Sequence, residues 1–436
     1  MNPDASETID RTTAPAVHDM GPLSLPDDEI ITLPNGIKLH TLSGGNTEVS
    51  RIKILLPGGI AESAVPQIYQ MANSLLLEGT MSHPSDELAD ILEYNGAWSG
   101  ADTSTHHSSL SLYCTNSTYS DLLPLMREMI TSPAFEQETV DNTLRAEAAR
   151  LEVENHKVAY RASCAMRNLV YGPDHPLSTV PSPARLLEIT PAQLRQAHQK
   201  RLDPQGIHIY ISGLISDSMV RQAYDIFSEI PPRKEFPLPR LQFPRHTSGA
   251  RVHVDMPESL QSGVRLIIPA IGRIHPDYVP LRMTVIALGG YFGSRLMLNI
   301  REEKGLTYGI TASLLGYKHS GFISVSSQTD PTTVDKLIDE TVKEMEHMKN
   351  PSSYTPDEVN RLSRFVLSEL AGVLDTPFSR MDFLQTQVTA NAPAGYFTMQ
   401  EQAARSLTPY KLAEMAEKYF NTDCLFIATA GKTLSS

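Results

Sequence analysis

ITPAQLRQAHQKRLDPQGIHIYISG (Ile189–Gly213) is repeated 218 residues later, without a gap, as LTPYKLAEMAEKYFNTDCLFIATAG (Leu407–Gly431). Each copy begins with an aliphatic residue and Thr-Pro, which is typical of Thr as a helix N-cap with Pro at the first helical position. Each copy continues with an amphipathic helix pattern, a turn, a β-strand pattern and a final glycine. The offset is half of the 436-residue chain.

The repetition extends beyond this one unit. FEQETVDNTL (Phe135–Leu144) resembles YTPDEVNRL (Tyr354–Leu362), with Asn142 and Asn360 again 218 residues apart, and SRIKILLPGG matches SGVRLIIPAI in pattern. One similar α–β unit arises easily by chance, but three in the same order indicate a duplication. The sequence therefore predicts an α+β fold of two homologous domains, each with a mixed or largely antiparallel sheet and helices packed on one face.

Composition shifts set the expected domain boundaries. The Pro-rich run PPRKEFPLPRLQFPRHTSGA has few ways to continue a helix or strand and predicts a linker over residues 231–249. We expect an N-terminal tail over residues 1–27, a first domain over 28–230 and a second over 250–436. Pro34-Asn35-Gly36, between two β-prone runs, predicts a hairpin at the start of the first domain.

The overall charge excludes some classes of partner. With 37 Lys and Arg against 50 Asp and Glu, the net charge of −13 argues against nucleic-acid binding and against an anionic membrane surface. No window reaches the ~18 apolar residues of a membrane span, and the first thirty residues show no signal-peptide pattern. The three cysteines, Cys114, Cys164 and Cys424, are too few and too far apart for a disulfide framework. We therefore expect a cytoplasmic protein.

A segment of the second half resembles a known family. LGGYFGSRLMLNIREEKGLTYGI (Leu288–Ile310) is similar to the second-half signature of the pitrilysin/insulinase metallopeptidases, the inverzincins, which combines small residues, Ser-Arg-Leu and Arg-Glu-x-x-Gly-Leu-x-Tyr. LPNG near the start and a helix ending in Glu78-Gly79-Thr80 add to the resemblance, which covers residues 28–434. Small bacterial members and mitochondrial processing peptidase subunits have this length and two repeats of one domain.

The resemblance also implies that the zinc chemistry of the first half is lost. Active members carry His-x-x-Glu-His on the first helix, where two histidines bind zinc and the Glu activates its water. The matching positions here are Gln70, Asn73 and Ser74. The third ligand of the family, a Glu, should fall near Arg150-Leu151, and Glu152 is close enough to be a remnant of it. The chain is therefore expected to hold no metal and no other cofactor.

Two further groups of positions follow from the resemblance. The substrate-facing Asn-Ala-x-Thr of active members corresponds to Gly100-Ala101-Asp102-Thr103, so Gly100, Ala101 and Thr103 are candidates for substrate binding in altered form. Arg301 and Tyr308 stand at the positions of an Arg and a Tyr that, in active members, stabilise the developing oxyanion from the half opposite the zinc. A structural role is the alternative, with the Arg capping a strand and the Tyr packing at a core edge.

Two other patterns, a pair of histidines and a cluster of glycines, give only weak evidence for a binding site. His106 and His107 are adjacent, so on a strand they would point to opposite faces and could not share a metal ion. No two of the 14 histidines are four residues apart. The glycines of GGYFGSRL lack the lysine of a phosphate-binding loop and fit tight turns better.

Together these features predict the zinc-less subunit of a heterodimeric peptidase. Its partner would be a homologous subunit with an intact His-x-x-Glu-His motif and the zinc, and unfolded peptides would bind by adding a strand to an open sheet edge. One alternative is a structural or peptide-binding protein without peptidase activity, like the core subunits of respiratory complexes. Another is a homodimeric peptidase with atypical ligands. A neighbouring reading frame with an intact zinc motif would favour the heterodimer.

Overall fold

The structure is a computed structural model that describes residues 12–14, 18–62, 65, 67–179, 182–231 and 248–434. The strands of the described residues are β1 (Glu29–Thr32), β2 (Lys38–Ser43), β3 (Val49–Pro57), β4 (Trp98–Thr103), β5 (His107–Thr115), β6 (His208–Gly213), β7 (Arg251–Asp255), β8 (Ser262–Ile271), β9 (Ile310–Gly316), β10 (Ser320–Thr329) and β11 (Phe426–Gly431). The helices are α1 (Ile68–Ser74), α2 (Ser85–Tyr94), α3 (Tyr119–Thr131), α4 (Gln137–Asn155), α5 (Val158–Tyr171), α6 (Pro183–Leu186), α7 (Pro191–Arg201), α8 (Asp217–Ser228), α9 (Tyr278–Gly289), α10 (Val334–His347), α11 (Pro356–Val373), α12 (Pro377–Thr389), α13 (Tyr396–Arg405) and α14 (Pro409–Tyr419).

The strands form two sheets with the same topology. The first has the order β1-β2-β6-β3-β5-β4 and the second the order β7-β11-β8-β10-β9. Without β1 the two orders correspond strand for strand. Each sheet has one parallel pair, β2–β6 and β7–β11, and its other pairs are antiparallel. The predicted duplicated α+β fold with mixed sheets is therefore confirmed.

The repeated Thr-Pro units have the local structure that their sequence predicts. Thr190 and Thr408 cap α7 and α14 by accepting backbone N–H bonds from Gln193 and Lys411, with proline in the first turn. The hairpin at residues 34–36 also forms, because Gly36 has a φ of 97° and lets β1 turn back onto β2. Most of the predicted linker lies outside the described residues, so the domain boundaries stay predictions.

Each sheet packs one face against helices of its own half. The first core includes fully buried residues of β3, such as Ile52 and Ile54, together with apolar residues of α1, α3 and α7. The second core is built in the same way on β8, from Leu266 and Ile268. Apolar residues of β3 and β8 thus anchor both repeats at their central strands.

The other face of each sheet receives a helix from the opposite half, which the sequence did not predict. Helix α5 of the first half packs on β8 and β11, and α12 of the second half packs on β2 and β6. The buried residues at these two contacts are Met166, Val170, Phe322, Phe426 and Ala428 on one side, and Leu42, Leu55, Tyr210, Met381 and Leu384 on the other. The two helices begin 219 residues apart, so the exchange follows the symmetry of the duplication.

An arginine on each central strand fastens the exchanged helix. Arg51 donates to the carbonyl oxygen of Phe378 at 3.0 Å and to the carboxylate of Asp382 at 2.8 Å. Arg265 donates to the carbonyl oxygen of Ala159 at 3.2 Å and to the hydroxyl of Ser163 at 2.9 Å. The receiving positions on α12 and α5 correspond at the same 219-residue offset. The two contacts differ in charge, because Arg51 binds a carboxylate whereas Arg265 binds a hydroxyl and a carbonyl oxygen.

This difference gives a stability prediction. Burial acts to lower the pKa of Arg51, but the hydrogen bond and charge of Asp382 outweigh it and raise that pKa, whereas burial lowers the pKa of Arg265. Arg51→Met should reduce the free energy of unfolding by about 2–3 kcal/mol, because it breaks an ion pair whose cation is buried. The loss is limited because the carboxylate of Asp382, which remains, is half exposed to solvent. Urea unfolding measures the change.

Two matched variants serve as controls for Arg51→Met. Arg265→Met should cost clearly less, since no buried ion pair is broken there. Arg251→Met, at the exposed Arg251–Asp335 pair, should change stability by less than about 0.5 kcal/mol. Equal effects of Arg51→Met and Arg251→Met would contradict the fastening role.

No helix among the described residues is long and apolar enough to cross a membrane.

Candidate functional site

Helix α1 carries the positions of the family's zinc motif. It is shorter than the sequence predicts, because a 3-10 turn over Leu75–Leu77 follows directly on Ser74. The half-buried side chains of Gln70 and Ser74 lie one helical turn apart and line a common cavity of about 540 Å³. The hydroxyl of Ser74 donates to the carbonyl oxygen of Met71 at 3.1 Å, within its own helix.

Asn73 does not line this cavity but points into the protein. Its side chain is buried, and its Nδ2 donates to the backbone oxygens of Asp102 at 3.0 Å and Ser109 at 2.9 Å. These two bonds join α1 to β4 and β5. At the position of the family's catalytic base, this chain therefore has an amide that holds the helix to the sheet.

Helix α4 contributes an ion pair to the lining of this cavity. Arg150 donates to Glu147 through Nε at 2.7 Å and through Nη2 at 2.6 Å, and these bonds raise the pKa of Arg150. Glu152, the expected remnant of the third ligand, is exposed and lies outside the cavity lining, so that assignment is wrong. At 100° per residue, Glu152 is about 200° around α4 from Arg150, whereas Glu147 shares its face.

The donors around this cavity do not fit zinc. An amide, a hydroxyl and a guanidinium replace two imidazoles and a carboxylate. Of the two acidic residues that line the cavity, Glu147 is bound on both oxygens by Arg150, and Asp102 is an exposed residue of β4. Among the described residues there is no group of three His, Cys, Asp or Glu side chains that could hold a metal ion.

The predicted substrate-binding positions lie on β4, beside the same cavity. Ala101 and Thr103 line it, and Thr103 Oγ1 is 3.3 Å from Ser108 Oγ on β5. Gly100, the residue before Ala101, lies on the opposite face of the sheet, where the indole of Trp98 covers it. The structure thus brings Gln70, Ser74, Ala101 and Thr103 together, while Asn73 and Gly100 lie next to the cavity.

In the second half, Arg301 lies on a π-helical turn over Met297–Glu303. Turns of this kind are rare in proteins overall, but those that occur are often at functional sites. The Arg301 side chain is about one-third exposed, with its guanidinium 5.0 Å from the centre of the Phe292 ring and 3.4 Å from Glu302. Glu302 is a neighbour on the same turn, so this ion pair does not tie the guanidinium to another element.

A network of buried charges holds the π-helical turn in place. Arg295 donates to Glu358 at 2.6 Å and to the backbone oxygen of Ser353 at 2.9 Å. Glu344 accepts from Arg295 and, at 3.0 Å, from Asn299 on the turn. The Ser-Arg-Leu part of the signature thus fixes the turn to α10 and α11.

The end of the turn is fastened in the same way. Lys304 donates to Asn299 at 2.5 Å and to Glu340, and the bonds from Lys304 and Lys343 lower the pKa of Glu340 to about 2. Glu340 therefore stays ionised throughout the physiological range.

Tyr308 lies on the short connection between this turn and β9. Its side chain is 90 % exposed, although the connection itself is well anchored. Next to it, Thr307 donates to the backbone oxygen of Gln328 at 2.6 Å and accepts from Ser327. Tyr308 therefore does not pack at a core edge, as the structural alternative required.

The histidine pair does not lie on one strand, as the sequence prediction assumed, because His106 precedes β5 and only His107 belongs to it. His106 Nδ1 lies 2.5 Å from the buried Glu62 carboxylate, whereas burial lowers the pKa of His107 to about 4. The two rings have different surroundings and share no site.

These features define a class of protein: a duplicated α+β chain of metallopeptidase type with a zinc helix that lacks zinc ligands. Residues 188–364 match the family described as "Peptidase M16 inactive domain". A relative named "Probable inactive metalloprotease YmfF" from Bacillus subtilis is 20% identical over 72% of this chain and 78% of its own length. A "Non-peptidase homolog YmxG" from Helicobacter pylori is 21% identical over 71% and 72%.

The fold comparison agrees with these relatives. The crystal structure of a peptidase M16 inactive domain from Pseudomonas fluorescens superposes with a TM-score of 0.85 at 23% identity, covering 94% of this chain and 99% of that one. The chain is thus similar to the Peptidase M16 inactive-domain family in the match of residues 188–364 and in its relatives, and the resemblance stated from its sequence is confirmed.

Proposed function

We propose that this chain is the zinc-less subunit of a two-subunit zinc peptidase and supplies Arg301 and Tyr308 to the zinc site of its partner. The observation that carries the proposal is the exposure of Tyr308. A large aromatic side chain that is 90 % exposed contributes little to folding, yet the residues on either side of it are anchored by hydrogen bonds. Such an arrangement suits a group presented to something outside the chain.

The chemistry of the pair fits acyl transfer to water. In peptide hydrolysis the scissile carbonyl oxygen becomes negatively charged, and a phenol and a guanidinium are donors that stabilise this charge. The partner's zinc, in its His-x-x-Glu-His motif, would supply the activated water. Tyr308 would donate its hydroxyl hydrogen to the oxyanion, and Arg301 would bind neighbouring backbone oxygens of the substrate.

The uneven divergence of the two halves supports this division of labour. The first half has lost both imidazoles and the base, whereas the second has kept Arg301, Tyr308 and the network of Arg295 and Lys304 beneath them.

We further propose a cytoplasmic location, in keeping with three cysteines that are all free thiols.

Reconstitution tests the proposal directly. A homologous chain with an intact zinc motif from the same genome should co-purify with this chain as a heterodimer. Neither chain alone should cleave an unfolded peptide at an appreciable rate, and the mixture should cleave it at a rate that saturates at a 1:1 ratio. Mass photometry gives the stoichiometry, and a fluorogenic peptide gives the rate.

The same assay separates the alternatives. A zinc-bearing chain that is fully active alone would contradict the proposal. A stable homodimer that cleaves peptides would instead favour a peptidase with atypical ligands.

A peptide-binding protein without peptidase activity is a second candidate. It is favoured by the open edge of β4 beside the cavity of Gln70 and Ser74, where an extended chain could pair. The name "Non-peptidase homolog" of one relative points the same way. Peptide binding by this chain without cleavage by any mixture would decide in its favour.

A further inference from the structure

The end strand β4 offers a free edge for an extended peptide. Within the described part of the chain, β4 pairs with β5 through all six residues and with no strand on its other side. Its outward N–H and C=O groups are therefore available to an added strand. Side chains of that strand would lie directly beside those of β4, at about 4.5–5.5 Å between Cβ atoms.

One face of β4 carries an unusual succession of side chains. Ala101 packs against the core of the first half. Because successive side chains of a strand point to opposite faces, Trp98, Gly100 and Asp102 lie on the face of β4 that is turned away from this core. Trp98, which is the only tryptophan of the chain, is 62% exposed. Tryptophan is enriched at sites of contact between proteins, because its ring is apolar and its N–H can donate a hydrogen bond.

Trp98 ends a row of aromatic rings that crosses the sheet. Its ring centre lies 5.4 Å from that of Tyr113 on β5, which lies 5.3 Å from Phe378 at the start of α12. Arg51 lies over both Tyr113 and Phe378. Phe378 and Arg51 thus pack against Tyr113, and the row ends at Trp98 on the edge strand β4.

Gly100 and Asp102 complete this surface. The indole lies over Gly100, where an added Cβ would come within 3.1 Å of its ring. Asp102 is exposed, and no hydrogen bond or ion pair of its carboxylate is found with the described residues. Lys53, a cation that interacts with Asp102 electrostatically, is 3.6 Å from Asp382 and is engaged there.

We propose that this edge selects the side chains of the peptide that it binds: an aromatic residue opposite Trp98 and a basic residue opposite Asp102, four positions apart. This inference rests on the proposed function only in that the chain handles peptides. Cross-strand aromatic pairs and opposite charges each stabilise an antiparallel pair, and the two act at positions fixed by the β4 backbone. The preference therefore depends on the spacing of the two side chains as well as on their presence.

The single tryptophan provides the readout. A short alternating Thr/Val peptide with Phe and Arg four residues apart, in either order, is titrated into the full chain while Trp98 fluorescence is followed. Compared with the peptide that has Ala at both positions, each side chain should lower Kd about threefold and both together about tenfold. Moving the Arg by two residues should remove its contribution.

Variants assign each preference to its residue, with binding followed by a fluorescein label on the peptide. Trp98→Leu should abolish the preference for Phe and keep that for Arg. Asp102→Asn should do the reverse and remove the salt dependence of the Arg contribution. Tyr94→Leu and Asp90→Asn, an exposed aromatic and an exposed carboxylate on α2, are the matched controls and should change neither.

The outcomes distinguish this inference from the proposed function. Equal affinity for all peptides, or preferences that persist in Trp98→Leu and Asp102→Asn, would overturn the selection while leaving cleavage by the heterodimer untouched. A spacing-dependent preference in a chain that never supports cleavage would uphold the selection and overturn the catalytic role of Arg301 and Tyr308.

Discussion

Tyr308→Phe is expected to lower the kcat of the reconstituted peptidase about 10²–10³-fold with little change in KM. The substitution removes one hydroxyl whose hydrogen bond forms only as the scissile oxygen becomes charged. Because the side chain is 90 % exposed, stability should be unaffected. Initial rates across a range of peptide concentrations, with thermal unfolding in parallel, measure both quantities.

Arg301→Ala should affect the same reaction differently. The guanidinium would bind the substrate backbone before and during the reaction, so its loss should raise KM as well as lower kcat. Tyr410→Phe, an exposed tyrosine on α14, is the matched control and should leave the kinetics unchanged. Undiminished cleavage in both Tyr308→Phe and Arg301→Ala would show that these residues have no catalytic role.

The duplicated fold could be predicted from the sequence because its signal is local. A Thr-Pro cap, a helix period and a short apolar strand follow one another within 25 residues, and the copies Ile189–Gly213 and Leu407–Gly431 need no gap. The strand order of the two sheets then matches, since homologous units fold alike.

The exchange of α5 and α12 could not be predicted, because amphipathicity shows that a helix has a buried face but not which sheet covers it. Arg51 and its partner on α12 are an example. Asp382 is 331 residues away, and nothing in the surroundings of either residue indicates the other. A second signal was nevertheless present: the exchanged helices themselves recur at the 219-residue offset, with Ala159 and Phe378 at equivalent positions.

The cavity of the first half was predicted only in part. The family resemblance located Gln70 and Ser74, and the structure brings both to one surface with Ala101 and Thr103. The error at Glu152 came from counting along α4 without its helical phase. A 100° period would have shown that Arg150 and Glu147 share a face and that Glu152 does not.

Because Arg150 and not Glu152 faces the cavity, three substitutions should restore a metal site there. Gln70→His, Ser74→His and Arg150→Glu together would place two imidazoles one turn apart on α1 and a carboxylate on α4, around one cavity. Three such ligands with an open fourth position are the arrangement of catalytic zinc sites. We expect one tightly bound zinc ion per chain, and stabilisation by about 2.7 kcal/mol when free zinc is 100-fold above its Kd.

The design of the experiment distinguishes Arg150 from Glu152 as the third position. Asn73 is left unchanged, since its bonds to β4 and β5 hold α1 in place, and without a base there the triple variant should bind zinc but not cleave peptides. The double variant Gln70→His and Ser74→His keeps both the Arg150 guanidinium and Glu152. It should bind zinc at least 100-fold more weakly, because a fixed cation remains where the carboxylate is required. Metal analysis after dialysis and zinc-dependent thermal shifts measure both variants, and tight stoichiometric zinc in the double variant would show that Arg150 does not occupy the ligand position.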